Sequence, residues 1–154
     1  MIINLKKLVI SILIPLATGG IAGLLTRGSM DTYSQIVRPP LSPPGWVFPV
    51  VWTILYILMG VAFYIVWQSE YENKKTALLL YFAQLAMNFI WPILFFNLEA
   101  YGISFVWLLI MLVLILFTAI AFYAADKRAG YLMIPYFVWV LFAGYLNLGV
   151  FILN

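Results

Sequence analysis

Three side-chain amides interrupt otherwise apolar segments of this chain: Gln84, Asn88 and Asn147. Gln84 and Asn88 are four residues apart and therefore share one helix face, with Trp91 beside them. An unpaired amide in hydrocarbon is costly, so these groups must face other helices or a cavity. The amides predict either hydrogen bonds between helices, worth about 0.6–2 kcal/mol each, or the polar contacts of a ligand site.

Tryptophans offer a second kind of binding chemistry. Trp52, Trp91 and Trp139 lie deep within apolar segments, whereas Trp46 and Trp67 lie near segment ends, as interfacial residues do. An indole combines a large flat apolar surface with one N–H donor. A cavity lined by indoles and a few amides would suit a large, flat, hydrophobic ligand. From the residues alone, packing of the aromatic rings and ligand binding both remain open.

Other chemistries are excluded or disfavoured by composition. The chain has no Cys and no His, so thiolate chemistry, imidazole metal ligation and His-dependent nucleophilic sites are absent. No charge lies in the middle of an apolar segment, which disfavours a proton relay or an ion-coupled pump. The net charge is only +3 and lies at segment ends. We therefore expect no metal site, no required cofactor and no nucleic-acid partner.

These residues must be positioned by membrane-spanning helices. Hydrophobic residues make up 66% of the 154 residues and charged residues only 8%. The charges leave five uncharged stretches near or above the roughly 20 residues that a helix needs to cross a bilayer. We predict an all-α integral membrane protein, a five-transmembrane-helix bundle forming one domain over residues 1–154. The predicted helices cover about 8–25, 46–67, 76–96, 102–123 and 131–153.

Proline and glycine mark the connections. The loop 27–45 carries four prolines, so it is predicted to be non-helical and stiff, and its length suits a lid or binding loop. Pro92 is expected to kink the third helix, and Pro135 to lie in the first turn of the fifth helix, after a turn at 126–130. Gly19 and Gly23 form a GxxxG pair, which predicts close approach of another helix.

The distribution of Lys and Arg predicts the orientation. The N-terminus and the second and fourth connections share one side, and the opposite side has only Arg27 and Arg38. Because cytoplasmic loops are enriched in Lys and Arg, we expect a cytoplasmic N-terminus and an external C-terminus. The first apolar run is too long for a signal peptide and is expected to be retained. The basic residues on the N-terminal side are Lys6, Lys7, Lys74, Lys75, Lys127 and Arg128.

Three stretches resemble one known family in order and spacing. They are RPPLSPPGWVFPVVWTILYILMG at 38–60, QLAMNFIWPILFF at 84–96 and PYFVWVLFAGYLN at 135–147. The chain resembles, over nearly its whole length, the translocator protein (TspO/MBR) family, also called tryptophan-rich sensory protein or peripheral-type benzodiazepine receptor. The short N-terminus, without an Arg/Ser-rich transit region, suits a bacterial member in a cell membrane.

The resemblance implies a commonly dimeric five-helix bundle whose pocket opens toward the first loop. It implies polycyclic ligands, chiefly tetrapyrroles such as protoporphyrin IX, and benzodiazepine-type compounds. Trp52 and Asn88 match positions that hydrogen-bond ligand, and Trp139 matches the facing indole. Further lining positions match Tyr33, Val47, Gln84, Phe89, Ala143 and Leu146.

Several functions remain open under this resemblance. The leading hypothesis is a membrane receptor or sensor that binds a porphyrin as ligand. Light-dependent porphyrin degradation, with Trp52 and Trp139 as tentative catalytic residues, and passive porphyrin or lipid transport are the alternatives, so enzymatic activity is not decided. Sterol transport is doubtful, because no Lys or Arg follows Arg128, as the animal cholesterol-recognition segment would require. For a homodimer face, Gly19 and Gly23 compete with Ala83 and Met87, and the resemblance favours the latter pair.

Overall fold

The computed structural model describes residues 2–154, and over these residues all regular structure is helical. Five helices are long and apolar enough to cross a membrane, which confirms the predicted all-α, five-helix membrane fold. A sixth, short helix lies in the first loop. The helices are α1 Leu5–Thr26, α2 Thr32–Gln35, α3 Val47–Trp67, α4 Lys74–Pro92, α5 Tyr101–Ala125 and α6 Lys127–Leu153.

The five long helices form a closed ring. In that ring α1 packs on α3, α3 on α6, α6 on α5, α5 on α4 and α4 on α1. Large apolar side chains cover the outside, including Leu24, Val113 and Ile152 at 66%, 49% and 69% exposure. Such a surface is unsuited to water and is what a helix bundle presents to lipid. The protein is therefore an integral membrane protein.

Two predictions about connections were wrong. The first loop is not wholly irregular, since Arg27–Ser29 forms a 3₁₀ turn and Thr32–Gln35 forms α2. Both precede the first proline of the loop, so proline does not prevent them. The irregular, proline-containing part of the loop begins after Gln35.

The last helix begins earlier than predicted, which removes the expected turn at 126–130. Asp126 is its N-cap, and its Oδ1 accepts a hydrogen bond from the Arg128 N–H at 2.9 Å. With the cap at Asp126, the charged residues behind it can form the first helical turn. Pro135 consequently lies inside α6 rather than in its first turn.

Proline also changes the end of α4, as expected. The α-helix ends at Pro92, and Ile93–Asn97 continues as one π-helical turn. Proline donates no backbone hydrogen bond and crowds the preceding turn, which favours such a local change of helix type. The π turn is tied to α1, because Asn97 donates from Nδ2 to the Leu25 carbonyl at 3.1 Å.

Glycine sets the distance between α1 and α3 at two points. A Cβ at Gly60 would lie 2.5 Å from the Cα of Ile12 and 2.7 Å from the carbonyl oxygen of Ser11. Pro15 cannot donate to that carbonyl, so the Ser11 oxygen is available at the contact. Gly19 lies against the ring of Tyr56 in the same interface. Gly23, by contrast, has open space where a Cβ would be.

Candidate functional site

A cavity of about 420 Å³ lies inside the ring, beneath the first loop. All five long helices and the loop contribute to its wall. A cavity of this size is within the range of small-molecule binding sites, which is about 300–1,000 Å³. Its principal lining residues are Gly19, Ala22, Gly23, Thr26, Met30, Tyr33, Ser42, Phe48, Trp52, Tyr56, Asn88, Trp91, Phe95, Phe96, Leu108, Met111, Trp139, Val140, Ala143, Leu146, Asn147 and Val150.

Aromatic rings form most of the wall. The ring centroids of Trp52 and Tyr56 are 5.4 Å apart, and those of Phe48 and Trp139 are 6.0 Å apart in an edge-to-face arrangement. Trp91 stacks on a neighbouring phenylalanine of the π turn, with centroids 5.0 Å apart. These separations are typical of favourable aromatic pairs. The rings hold one another in place and leave flat apolar surfaces toward the cavity.

Asn88 is held by a chain of hydrogen bonds behind the wall. Its Oδ1 accepts from the Tyr56 hydroxyl at 2.8 Å, and its Nδ2 donates to the Tyr136 oxygen at 2.8 Å. The Tyr136 hydroxyl then donates to Gln84 Oε1 at 2.6 Å. One Nδ2 hydrogen of Asn88 has no partner among residues 2–154, so the amide retains a single donor for a ligand.

Trp139 presents an unpartnered donor at the cavity. Its ring is partly buried, and its Nε1 atom is buried without a hydrogen-bond partner in the described chain. A buried donor without a partner costs about 1–3 kcal/mol relative to one that is satisfied. An acceptor atom on a bound molecule would remove that cost. Trp139 is thus the residue of the wall with the clearest unmet hydrogen-bonding need.

Asn147 is committed to the structure of the bundle. Its Oδ1 accepts from Trp91 Nε1 at 3.0 Å and from Ser104 Oγ at 3.1 Å. Its Nδ2 donates to the carbonyl oxygen of Tyr101 at 2.9 Å. These bonds join α4, α5 and α6 next to the cavity. The interhelical hydrogen bonding predicted for the amides therefore applies most clearly to Asn147.

The structure brings together six of the nine predicted ligand residues. Three predicted positions do not line the cavity: Val47, Gln84 and Phe89. Gln84 is fully buried one layer behind the wall, where Tyr136 occupies its acceptor. The six that line the cavity are Tyr33, Trp52, Asn88, Trp139, Ala143 and Leu146. Trp52 and Trp139, the two tentative catalytic residues, are both among them.

Several lining residues were not predicted. Tyr56 lies four residues after Trp52, so the helical period alone could have placed both on one face. Leu108 and Met111, from α5, carry no polar group that would distinguish them from ordinary core residues. Met30 and Phe48 belong to the loop and to the start of α3, whose course over the cavity is a tertiary feature.

The first loop closes the cavity and is attached to the outer end of α6. The Tyr145 hydroxyl donates to the Pro40 carbonyl at 2.7 Å. Asn154 accepts from the Val37 N–H at 3.1 Å and donates to the Val37 carbonyl at 2.8 Å. Gly149 leaves room for the adjacent Pro39, whose Cβ would be 2.5 Å from a Cβ at position 149.

The loop is also braced from within. The Tyr33 hydroxyl donates to the Pro43 carbonyl, and the guanidinium of Arg38 lies 4.6 Å from the centroid of the Tyr33 ring. Such a cation–ring contact is worth about 0.5–1 kcal/mol at an exposed site. We call residues 36–46, together with these attachments, the lid.

A metal centre has no support among residues 2–154, where no three His, Cys, Asp or Glu side chains cluster closely enough to hold an ion. The site is therefore an apolar cavity with few donors. Its chemistry is that of shape, ring stacking and one or two hydrogen bonds.

Comparison with known proteins identifies the family. The profile of the TspO/MBR family matches residues 11–153. The tryptophan-rich protein TspO of Archaeoglobus fulgidus is 37% identical over 152 residues, covering 98% of this chain and 99% of its own. The translocator protein of Bos taurus is 35% identical, covering 88% and 82%, and the tryptophan-rich sensory protein of Cereibacter sphaeroides is 36% identical, covering 80% and 77%. The chain belongs to the TspO/MBR family.

Proposed function

We propose that this TspO/MBR family member is a membrane sensor whose cavity binds a hydrophobic polycyclic ligand, chiefly a tetrapyrrole such as protoporphyrin IX. The observation that carries the proposal is the unpartnered Nε1 donor of Trp139 in an otherwise apolar, aromatic cavity. The names of the relatives, translocator and sensory protein, support a role in sensing or transport at a membrane.

A porphyrin meets the needs of this cavity in two ways. Its flat macrocycle offers stacking surface to rings such as Trp52 and Phe48, and its carboxylates offer acceptors to Trp139 and Asn88. The chain has no His, so it lacks the usual axial ligand of haem iron. A metal-free tetrapyrrole is therefore favoured over haem.

The test is a titration in the dark, with Trp fluorescence read against added protoporphyrin IX. Trp139→Phe removes the N–H donor and keeps an aromatic ring, and we expect affinity to fall about five- to fifty-fold, as for loss of one buried hydrogen bond. Trp46→Phe is the matched control, because Trp46 is 68% exposed and does not line the cavity. It should bind as the wild type does.

A second ligand separates the hydrogen bond from packing. With a porphyrin that lacks carboxylates, Trp139→Phe should change affinity little, since the acceptor is then missing from both complexes. Equal losses with the two ligands would show that Trp139 acts by shape alone. Absence of saturable binding by the wild-type protein would overturn the tetrapyrrole proposal.

Light-dependent porphyrin degradation is a second candidate, favoured by the position of Trp52 and Trp139 on the same cavity wall. A bound porphyrin would absorb the light, and the indoles would supply redox-active rings. Under illumination, Trp52→Phe should then abolish a defined product while dark binding persists. If wild type and variant bleach alike, the chemistry belongs to the porphyrin and only binding remains.

We also propose a homodimer that uses the outer face of α4, in a cell membrane with the N-terminus cytoplasmic. Ala83 and Ala86 are exposed on that face and would allow another helix to approach closely. Met87 is partly buried and packs against the core, so it fits a dimer face less well. Ala83→Leu should shift the protein toward monomer in a crosslinking assay, and unchanged crosslinking would contradict this face.

A further inference from the structure

A second surface feature lies at the opposite end of the bundle from the lid. It is an apolar groove on α4 and the end of α3, formed by Trp67, Leu78, Leu79 and Phe82 and bordered by Lys74 and Lys75. Leu79 and Phe82 are 61% and 43% exposed. The groove therefore runs from a pair of lysines onto a surface that faces lipid.

Three ammonium groups gather at the head of this groove. Lys7 Nζ lies 5.0 Å from the centroid of the Trp67 ring and donates to Gln68 Oε1 at 3.3 Å. Lys74 Nζ donates to the carbonyl oxygens of Trp67 and Ser69 at 3.2 and 3.1 Å. The contacts of Lys7 and Lys74 are therefore with neutral groups, which position the ammonium groups without neutralising them.

The positive charge of this cluster is not matched by carboxylates. Over residues 2–154 the ion pair within 4.0 Å is that of Asp126 with Arg128, at the other connection on this side. Glu70 and Glu72 lie in the adjoining turn and are both exposed, and neither makes an ion pair with the three lysines. The head of the groove thus combines uncompensated positive charge with an apolar wall.

We propose that this groove binds one anionic phospholipid, with its phosphate among Lys7, Lys74 and Lys75 and an acyl chain along Leu79 and Phe82. Basic pockets beside membrane-spanning helices attract anionic headgroups, and each lysine near the surface contributes about 1 kcal/mol. The groove is separate from the cavity, since no residue lines both. The proposal therefore does not depend on the tetrapyrrole proposal.

The test uses the purified full chain and native mass spectrometry, titrated with phosphatidylglycerol or with phosphatidylcholine of the same acyl chains. Wild type should prefer phosphatidylglycerol. Removing the charges with Lys7→Gln and Lys75→Gln should weaken phosphatidylglycerol about five-fold for each lysine and leave phosphatidylcholine unchanged. Lys74 is left intact, because its hydrogen bonds hold the turn.

Matched variants distinguish a site from general charge attraction. Lys127→Gln removes an exposed charge on the same side of the bundle but outside the groove, and it should keep the wild-type preference. Leu79→Gln changes the apolar wall without touching a charge, and it should weaken phosphatidylglycerol.

Three outcomes would overturn the proposal. Equal losses in Lys127→Gln and in the groove variants would show nonspecific attraction. Displacement of the lipid by soluble glycerol phosphate at similar concentration would show a phosphate site that does not use the acyl chain. Equal wild-type affinity for the two lipids would remove the headgroup from the site.

Discussion

Replacing Gly19 with alanine tests how α1 and α3 hold the cavity wall in place. A Cβ at position 19 would lie 2.7 Å from Cζ and 2.8 Å from Cδ2 of Tyr56. Carbon atoms pack at about 3.5–4.0 Å, so the ring must move by about 1 Å. The Tyr56 hydroxyl is 2.8 Å from Asn88 Oδ1, and such a shift stretches that hydrogen bond beyond its useful range.

The magnitude follows from these terms. Overpacking costs about 1–3 kcal/mol and the lost hydrogen bond about 0.5–1.5 kcal/mol, while alanine improves helix propensity by about 1 kcal/mol. We expect Gly19→Ala to lower the free energy of unfolding by about 1–3 kcal/mol. Gly23→Ala is the control, because it meets open space and should be neutral or stabilising.

The assay is unfolding of the purified protein in mixed micelles with increasing sodium dodecyl sulfate, followed by circular dichroism. Gly19→Ala should unfold at a lower detergent fraction than wild type, and Gly23→Ala at an equal or higher one. Identical midpoints for the two variants would refute the assignment of Gly19 to the α1–α3 contact. A destabilised Gly23→Ala would refute the open space at that position.

Three further substitutions test other parts of the bundle by the same assay. Gly60→Ala forces a Cβ against the α1 backbone at Ser11, which cannot rotate away as a side chain can, so it should cost at least as much as a core overpacking, about 1–3 kcal/mol. Asn147→Leu breaks the hydrogen bonds that join α4, α5 and α6 and should cost about 1–3 kcal/mol, whereas a loss under 0.5 kcal/mol would show that these bonds are dispensable. Asp126→Ala removes an N-cap and should cost about 1 kcal/mol, whereas Asp126→Asn should retain most of the stability. The hydrogen bond from Arg128 lowers the pKa of Asp126, so the stabilisation is present near neutral pH and is lost as the pH falls below about 4, through the lowered pKa. Unfolding midpoints at neutral and acidic pH check the sign, and a contribution that grows at acidic pH would contradict it.

The five long helices could be predicted because charge alone separates them. Their ends were less predictable where a charged residue belongs to a helix. Lys127 and Arg128 suggest a turn, yet Asp126 caps the helix before them and makes both of them helical. The residues of the first loop that precede its prolines likewise form helical turns that proline content obscured.

The cavity was harder to predict than the helices, because its wall depends on which side of each helix faces inward. Gln84 and Asn88 share a face by spacing, but only Asn88 reaches the cavity, since Tyr136 covers Gln84. Gly19 and Gly23 are similar in sequence, yet one contacts a ring and the other borders empty space. Such differences arise from the packing of neighbouring helices, which spacing within one helix does not contain.

Helix α6 performs two tasks along its outer half. Trp139, Ala143 and Leu146 face the cavity, whereas Tyr145 and Asn154 hold the lid. A rigid helix cannot adjust one set of contacts without moving the other. Any molecule that pushes α6 outward as it enters must therefore strain the fastening of the lid, and occupancy inside the membrane becomes mechanically readable at the surface.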